Sequence, residues 1–354
     1  MLFDSSYLRV VRSRAQRSRV CRAIERVRPA RARCASDERI KIGVSACLLG
    51  ANVRFDGGHK RSDFLADTLG SMVEFVPVCP EVEIGLGVPR ETLRLVSDGS
   101  TARGARLVTN NTSIDYTEKM NSYAQRRVIA LGREDLSGYV LKKDSPSCGM
   151  ERVRIYGSSE MPTRRGSGLF AAALMGRYPS LPVEEEGCLN DPHMRENFVE
   201  RVFAYRRLRS FFSSRWTLGG LTQFHNAHNL ILMAHSPKAY GELGRLVANE
   251  KRLPRDKVRE RYEFAFMEAL KKIATMARHT KVLNHMLGYL SPHLDRDSRD
   301  ELVTLVEGYR SNLLPLVVPI ALFRHYARKF DIAYLRGQVY LEPHPKELML
   351  RNHI

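Results

Sequence analysis

From Ile40 onward, short apolar β-rich runs alternate with amphipathic stretches, the pattern of an α/β domain with a mostly parallel sheet. The spacing predicts strands over 40–45, 73–78, 106–109 and 138–141, an edge strand at 152–156, and helices over 62–69, 116–131 and 168–175. Between 178 and 192 the rhythm breaks. Pro179, Pro182, an acidic run at 184–186 and Gly187 read as an interdomain linker centred on 181–191. After Pro192 the spacing turns helical and stays so, which predicts an all-α domain over 192–354. Ser236 and Pro237 form an N-cap and first-turn pair that should start a new helix running to about Asn249. Pro254, Pro292, Pro315 and Pro319 mark further breaks or helix starts.

A length of 354 residues agrees with two domains, 40–180 and 192–354, and 43% hydrophobic against 27% charged residues is a globular composition. The longest apolar runs, such as 313–323, fall well short of the roughly 20 residues that span a bilayer, so no membrane-spanning helix is expected. The net charge of +18 is unevenly placed. Residues 1–39 hold 11 Arg/Lys against 4 Asp/Glu, residues 40–191 hold 19 against 19, and residues 192–354 hold 27 against 16. The first 39 residues are expected to form a disordered basic arm, in which Cys21 and Cys34 have no assigned role. They lack the apolar stretch of about 7 to 15 residues that a secretory signal needs, which points to the cytoplasm. Six cysteines are too sparse for a disulfide framework, and in a reducing compartment free thiols point to a metal or to nucleophilic chemistry.

Cys47 follows the first predicted strand, Cys79 the second and Cys148 the fourth. In an open parallel sheet the loops at the carboxyl ends of the strands share one edge, and ligands bind there. Three thiolates can hold a zinc or three irons of a 4Fe-4S cluster, leaving one coordination position free in either case. The spacings of 32 and 69 residues are unlike the tight Cys-x-x-Cys runs of ferredoxins and zinc ribbons. On the residues alone a metal or cluster, buried structural cysteines and a single catalytic thiol all stay open. Cys188, in the linker, reads as a surface thiol.

Four segments carry a resemblance. Gly43-Val44-Ser45-Ala46-Cys47-Leu48-Leu49-Gly50, Val53-Arg54-Phe55-Asp56-Gly57-Gly58, Val78-Cys79-Pro80-Glu81 and Ser145-Pro146-Ser147-Cys148-Gly149 resemble the successive motifs of the thiouracil desulfidase family, over residues 40–180. The resemblance implies a 4Fe-4S cluster held by Cys47, Cys79 and Cys148. Its fourth iron, without a protein ligand, would accept the sulfur of a small thiolated pyrimidine while water replaces that sulfur on the ring. Such chemistry needs a base for water and a proton source. Glu81, two residues after a ligand cysteine, is the candidate general base, and Ser145 the candidate for orienting substrate or relaying a proton. Read structurally, the same two are a helix-start carboxylate and a turn residue. Asp56 either hydrogen-bonds substrate or makes an Asp-Gly turn, and Lys142 and Lys143 either hold an anionic group or are solvated. After Glu81 the run 82–90 departs from the Gly-Gly-Leu-Pro type turn of stand-alone desulfidases, in a loop expected to wall the pocket.

In the helical half, His225, His228 and His235 would share one face of a continuous helix at 100° per residue. They read either as a metal or phosphate site or as histidines satisfied within a helix–helix interface. The stretches 224–246, 285–289 and 315–326 resemble the YbgA-type helical family, which implies no mechanism. The basic excess of this half raises the idea of RNA binding. The competing class to an enzyme is a redox- or iron-sensing module, for which exposed, reactive thiols are expected.

Overall fold

A computed structural model describes residues 39–97, 104–157, 161–249 and 254–353. Residues 1–38, with Cys21 and Cys34, lie outside the described residues. Among the described residues eight strands follow in chain order: β1 (Ile40–Ser45), β2 (Val73–Val78), β3 (Leu93–Val96), β4 (Arg106–Thr109), β5 (Leu136–Leu141), β6 (Val153–Tyr156), β7 (Thr163–Gly166) and β8 (Val183–Glu185). They form two sheets. One is parallel throughout, in the order β2-β1-β5-β8, with Ile42 of β1 opposite Phe75 of β2 and Gly138 of β5. The other has the order β4-β3-β6-β7, parallel only between β3 and β6. The segments predicted at 106–109 and 152–156 are therefore strands, but of this second, mixed sheet. Periodicity assigns a strand, while sheet membership depends on contacts far apart in sequence.

All six residues of β5 are buried, as a central parallel strand covered on both faces requires. Three helices accompany the strands: α1 (Pro80–Glu83), α2 (Thr117–Leu131) and α3 (Leu169–Arg177). The helix predicted at 62–69 is a π-type turn over Phe64–Thr68 that tightens into a 3-10 turn at Leu69–Ser71, and it still buries Leu65 and Leu69 on one face.

The rest of the chain is helical: α4 (Pro192–Ser213), α5 (Leu218–Ala227), α6 (Asn229–His235), α7 (Pro237–Ala248), α8 (Arg255–Leu270), α9 (Met276–Leu290), α10 (Arg296–Arg310), α11 (Val317–Lys329) and the short α12 (Ala333–Arg336). Its starts are written in side chains. Asp191 accepts from the amides of His193 (2.8 Å) and Met194 (3.0 Å) with Pro192 in the first turn, and Ser236 accepts from Ala239 (3.2 Å) ahead of Pro237. No helix among the described residues is long and apolar enough to cross a membrane.

The stretch expected to be a linker is instead structural. Val183–Glu185 is the fourth strand of the parallel sheet, and its acidic residues are buried because each has a partner. Glu184 is paired with Arg201 of α4 at 2.8 Å, and Glu185 accepts from the amide of Met150 at 2.8 Å. Here α4 lies directly against β5. A Cβ on Gly138 would sit 2.7 Å from Cγ2 of Val202, so this position has room only for glycine. Phe198, Val199 and Val202 of α4 pack with Ile42, Val44 and Val140 of the sheet, and further along α4 Tyr205 and Leu208 join Tyr139 and Phe170 in a cluster that continues through Tyr262 and Leu283. The helical half and the sheet share their core.

Arg201→Ala is expected to lose about 3 to 5 kcal/mol of stability, because it leaves the Glu184 carboxylate buried and unpaired. Arg201→Met with Glu184→Gln should restore most of that loss in urea unfolding; a single variant within 1 kcal/mol of wild type would contradict the assignment.

Candidate functional site

Because β2, β1 and β5 are adjacent and parallel, the segments leaving their carboxyl ends meet along one edge of the sheet. Leaving β1, the chain enters a 3-10 turn (Ala46–Leu49) that carries Cys47 and closes on Gly50, whose φ of 95° is left-handed. From β2 it passes through Cys79 into α1, with Pro80 in the first helical turn. After β5 comes the loop 142–149. There the Ser145 hydroxyl accepts from the amides of Ser147 (3.3 Å) and Cys148 (3.1 Å), and its carbonyl accepts from Gly149 (2.8 Å). A side chain at Gly149 would collide with Val153 and with that same carbonyl, so the tight turn presenting Cys148 needs glycine. Ser45 fastens the loop from the other side, its hydroxyl accepting from the amide of Lys142 at 3.0 Å.

The three cysteines line one cavity of about 380 Å³ together with Glu81, Ser145 and Lys143. Burial pushes all three thiols up: Cys47 to about 11 and Cys148 well above the ordinary thiol value, with Glu81 adding to the effect at Cys148. A group that binds all three must therefore displace their protons. Among the described residues no group of three or more His, Cys, Asp and Glu is drawn together to hold a metal ion. The donor set itself, three soft sulfurs lining one cavity, fits an iron–sulfur group.

Glu81 is held at both oxygens. Arg90 donates to Oε2 from Nε (3.0 Å) and Nη2 (2.6 Å), and Ser147 donates to Oε1 (2.9 Å). With its Nη1 Arg90 reaches the carbonyl of Val53 (2.9 Å), so one guanidinium ties the α1 carboxylate to the loop after the first cysteine. The run 82–90 thus does wall the pocket, through Arg90. Asp56 is not brought in. It lies outside the cavity lining, half-exposed, accepting from the amide of Gly58 (3.0 Å) beside the left-handed Gly57, which makes it a turn residue. Ser145 lines the cavity and also shapes the turn before Cys148. Lys142 lines the cavity as well but is ion-paired to Glu186, which also accepts from the amide of Lys143 at 2.7 Å. Cys188 stands apart from the lining, half-buried near Glu184.

Arg90, Ser147, Ser45 and Glu186 are the residues that sequence reasoning missed. Ser147 sits within the Ser-Pro-Ser-Cys motif and could have been named, whereas the contact from Arg90 back to Glu81 has no sequence signal. The three histidines of the helical half do not share a helical face, because the helix breaks at His228 between α5 and α6. Each has its own partners: His225 the Tyr262 hydroxyl (3.2 Å), His228 the Phe224 carbonyl at Nδ1 (2.7 Å) with its Nε2 buried and unpartnered, and His235 Glu200 (2.9 Å) and the Lys272 carbonyl (2.6 Å).

Two family models match the chain, the 2-thiouracil desulfurase model over residues 42–186 and a model described as protein of unknown function DUF1722 over residues 229–345. The uncharacterized protein YbgA of Escherichia coli strain K12 is 33% identical over 165 residues, 46% of this chain and 98% of that protein. The chain belongs to the YbgA family. The uncharacterized protein YbbK of Bacillus subtilis strain 168 is 28% identical over 150 residues, 42% of this chain and 97% of that protein. A solved structure described as the 4Fe-4S-dependent thiouracil desulfidase TudS is 33% identical, with 43% of this chain and 94% of that one covered and a TM-score of 0.36. The cysteine-lined cavity falls wholly within residues 42–186, the stretch that the desulfurase model matches.

A double-mutant cycle of Arg90→Ala and Glu81→Ala is expected to give a coupling energy of about 1 to 3 kcal/mol in unfolding measurements. Additive effects would mean that the two side chains do not hold each other.

Proposed function

We propose that this protein removes sulfur, without net redox, from a small thiolated pyrimidine or related thiocarbonyl compound. The observation that carries the reading is that thiols from the ends of three adjacent parallel strands line the same cavity as a doubly anchored carboxylate. Cys47, Cys79 and Cys148 would hold a 4Fe-4S cluster. Bound there, it would supply an iron without a protein ligand, a thiophilic Lewis acid that weakens a carbon–sulfur bond.

In the overall reaction a thiocarbonyl and water become a carbonyl and hydrosulfide with release of a proton. Glu81 is suited to take the proton from water. A carboxylate has about four lone-pair sites, of which Arg90 uses two on Oε2 and Ser147 one on Oε1, so Oε1 keeps one for a water. Arg90 on Oε2 and Ser147 on Oε1 together fix where the carboxylate sits, and orientation of the base is much of what general-base catalysis requires. Ser145 spends its lone pairs on two backbone amides and keeps its hydroxyl proton to donate to substrate. The Lys143 ammonium, on the lining, would hold an electron-rich oxygen of the substrate.

A sensor would be better served by exposed thiols, and Cys47 and Cys148 are buried. No observation favours the RNA reading.

The test is anaerobic purification with iron and sulfide quantitation. Wild type is expected to hold about four of each per chain, and Cys47→Ala to lose them. Glu81→Gln should keep the cluster and release hydrosulfide from thiouracil at least 100-fold more slowly, the scale of a lost general base. Colourless protein after anaerobic reconstitution would overturn the cluster, and undiminished turnover in Glu81→Gln would overturn its role.

A further inference from the structure

The helical half contains a second cavity, of about 250 Å³, that the desulfurase chemistry does not use. One face of α4 supplies His193, Glu196, Asn197 and Glu200, residues spaced three and four apart and so stacked along one side. The chain's last turn lies across them. Arg351, buried, donates from Nε to Glu196 (3.1 Å), from Nη2 to Glu200 (3.3 Å) and from Nη1 to the Tyr340 carbonyl (2.6 Å). Glu200 also meets His235 Nε2 at 2.9 Å, and His353 stands 3.0 Å from His193 and 3.4 Å from Glu196. His279, with Nδ1 on the Tyr340 hydroxyl at 2.7 Å, and Tyr309 and Asn312 complete the polar wall.

Burying two carboxylates and a guanidinium is costly compared with packing apolar side chains, and a helical bundle needs no such group to fold. Here the network borders open space instead of filling it. That combination, a concave site with a few fixed polar groups, is how small-molecule sites are built. We propose that this cavity is a second binding site, for a small, flat, neutral molecule carrying adjacent hydrogen-bond donors and acceptors.

Neutrality follows from the pairing already in place, since Arg351 bridges both carboxylates and His235 meets Glu200. In support, burial pushes Glu196 up to about 7 against the pull of Arg351, while Glu200, although burial opposes it, is held low by His235 and Arg351. A net anion or cation would find no uncompensated partner. A flat ligand suits a lining rich in rings, to which His193, His235, His279, Tyr309 and His353 contribute. Mixed donors and acceptors follow from the carboxyl, amide, hydroxyl and imidazole groups side by side. The volume lies below the roughly 300 to 1,000 Å³ of drug-sized pockets, which limits the ligand to a compact metabolite.

Uracil is the probe, and the full chain is the sample. Equilibrium dialysis of labelled uracil should show a saturable event that Ala274→Phe, which fills the cavity, removes and that Asn312→Ala, on the rim, weakens at least fivefold. Orotate, the same ring with a carboxylate, should bind this site at least tenfold more weakly. Wild type without saturable uracil binding would overturn the proposal. So would stoichiometry and affinity unchanged in both variants, or orotate binding as tightly as uracil. Should Ala274→Phe fail to fold, Asn312→Ala and the orotate comparison decide.

Discussion

The parallel pairing of β1 between β2 and β5 is the constraint from which the rest follows. Three strands in that arrangement end on the same edge, so three cysteines separated by 32 and 69 residues become neighbours around one cavity. The pairing itself depends on close backbone approach. A Cβ on Gly43 would lie 2.1 Å from the Tyr139 ring, which crosses from β5, and one on Gly138 would strike Val202 of α4. Small residues in the middle of two neighbouring strands thus let the sheet be covered on both faces.

Charge is managed by pairing throughout, and the pairs serve different ends. At the cavity Arg90 and Ser147 hold Glu81 by both oxygens, which orients a carboxylate without neutralising its remaining lone pair. Glu186 takes up Lys142 and the amide of Lys143, fixing the loop that brings Cys148. Behind the sheet, Glu184 and Arg201 bind β8 to α4 and turn an acidic, proline-flanked stretch into a strand. In the helical half the chain terminus does the same work: Arg351 closes the bundle by meeting Glu196 and Glu200 of the helix that begins it.

These pairs explain where reading along the chain succeeds and where it stops. The strand run at 138–141 is legible because a strand buried on both faces is apolar along its length, and those at 40–45 and 73–78 because β-branched and aromatic residues cluster there. Ser236–Pro237 is legible because a cap is a contact between near neighbours in sequence. β7, which reads Thr-Arg-Arg-Gly, and β8, which reads Val-Glu-Glu, carry no such signal. Their hydrogen bonds come from strands already in place, and for β8 the burial of acid is made tolerable by an arginine 17 residues away.

By itself the chain of residues determined the α/β half and the helical half and put the three cysteines and Glu81 forward as one candidate site, since each rests on local pattern or on motifs whose spacing survives without a fold. Only the tertiary structure decided that 106–109 and 153–156 belong to a second sheet, that Asp56 turns the chain outside the cavity, and that Arg90 and Ser147 hold Glu81. It also separated three histidines that a continuous helix would have aligned, and put Arg351 of the last turn against α4. The reason is the same in each case. Periodicity and capping are set by residues a few positions apart, while sheet membership, buried ion pairs and cavities are made by side chains that meet only once the chain has packed.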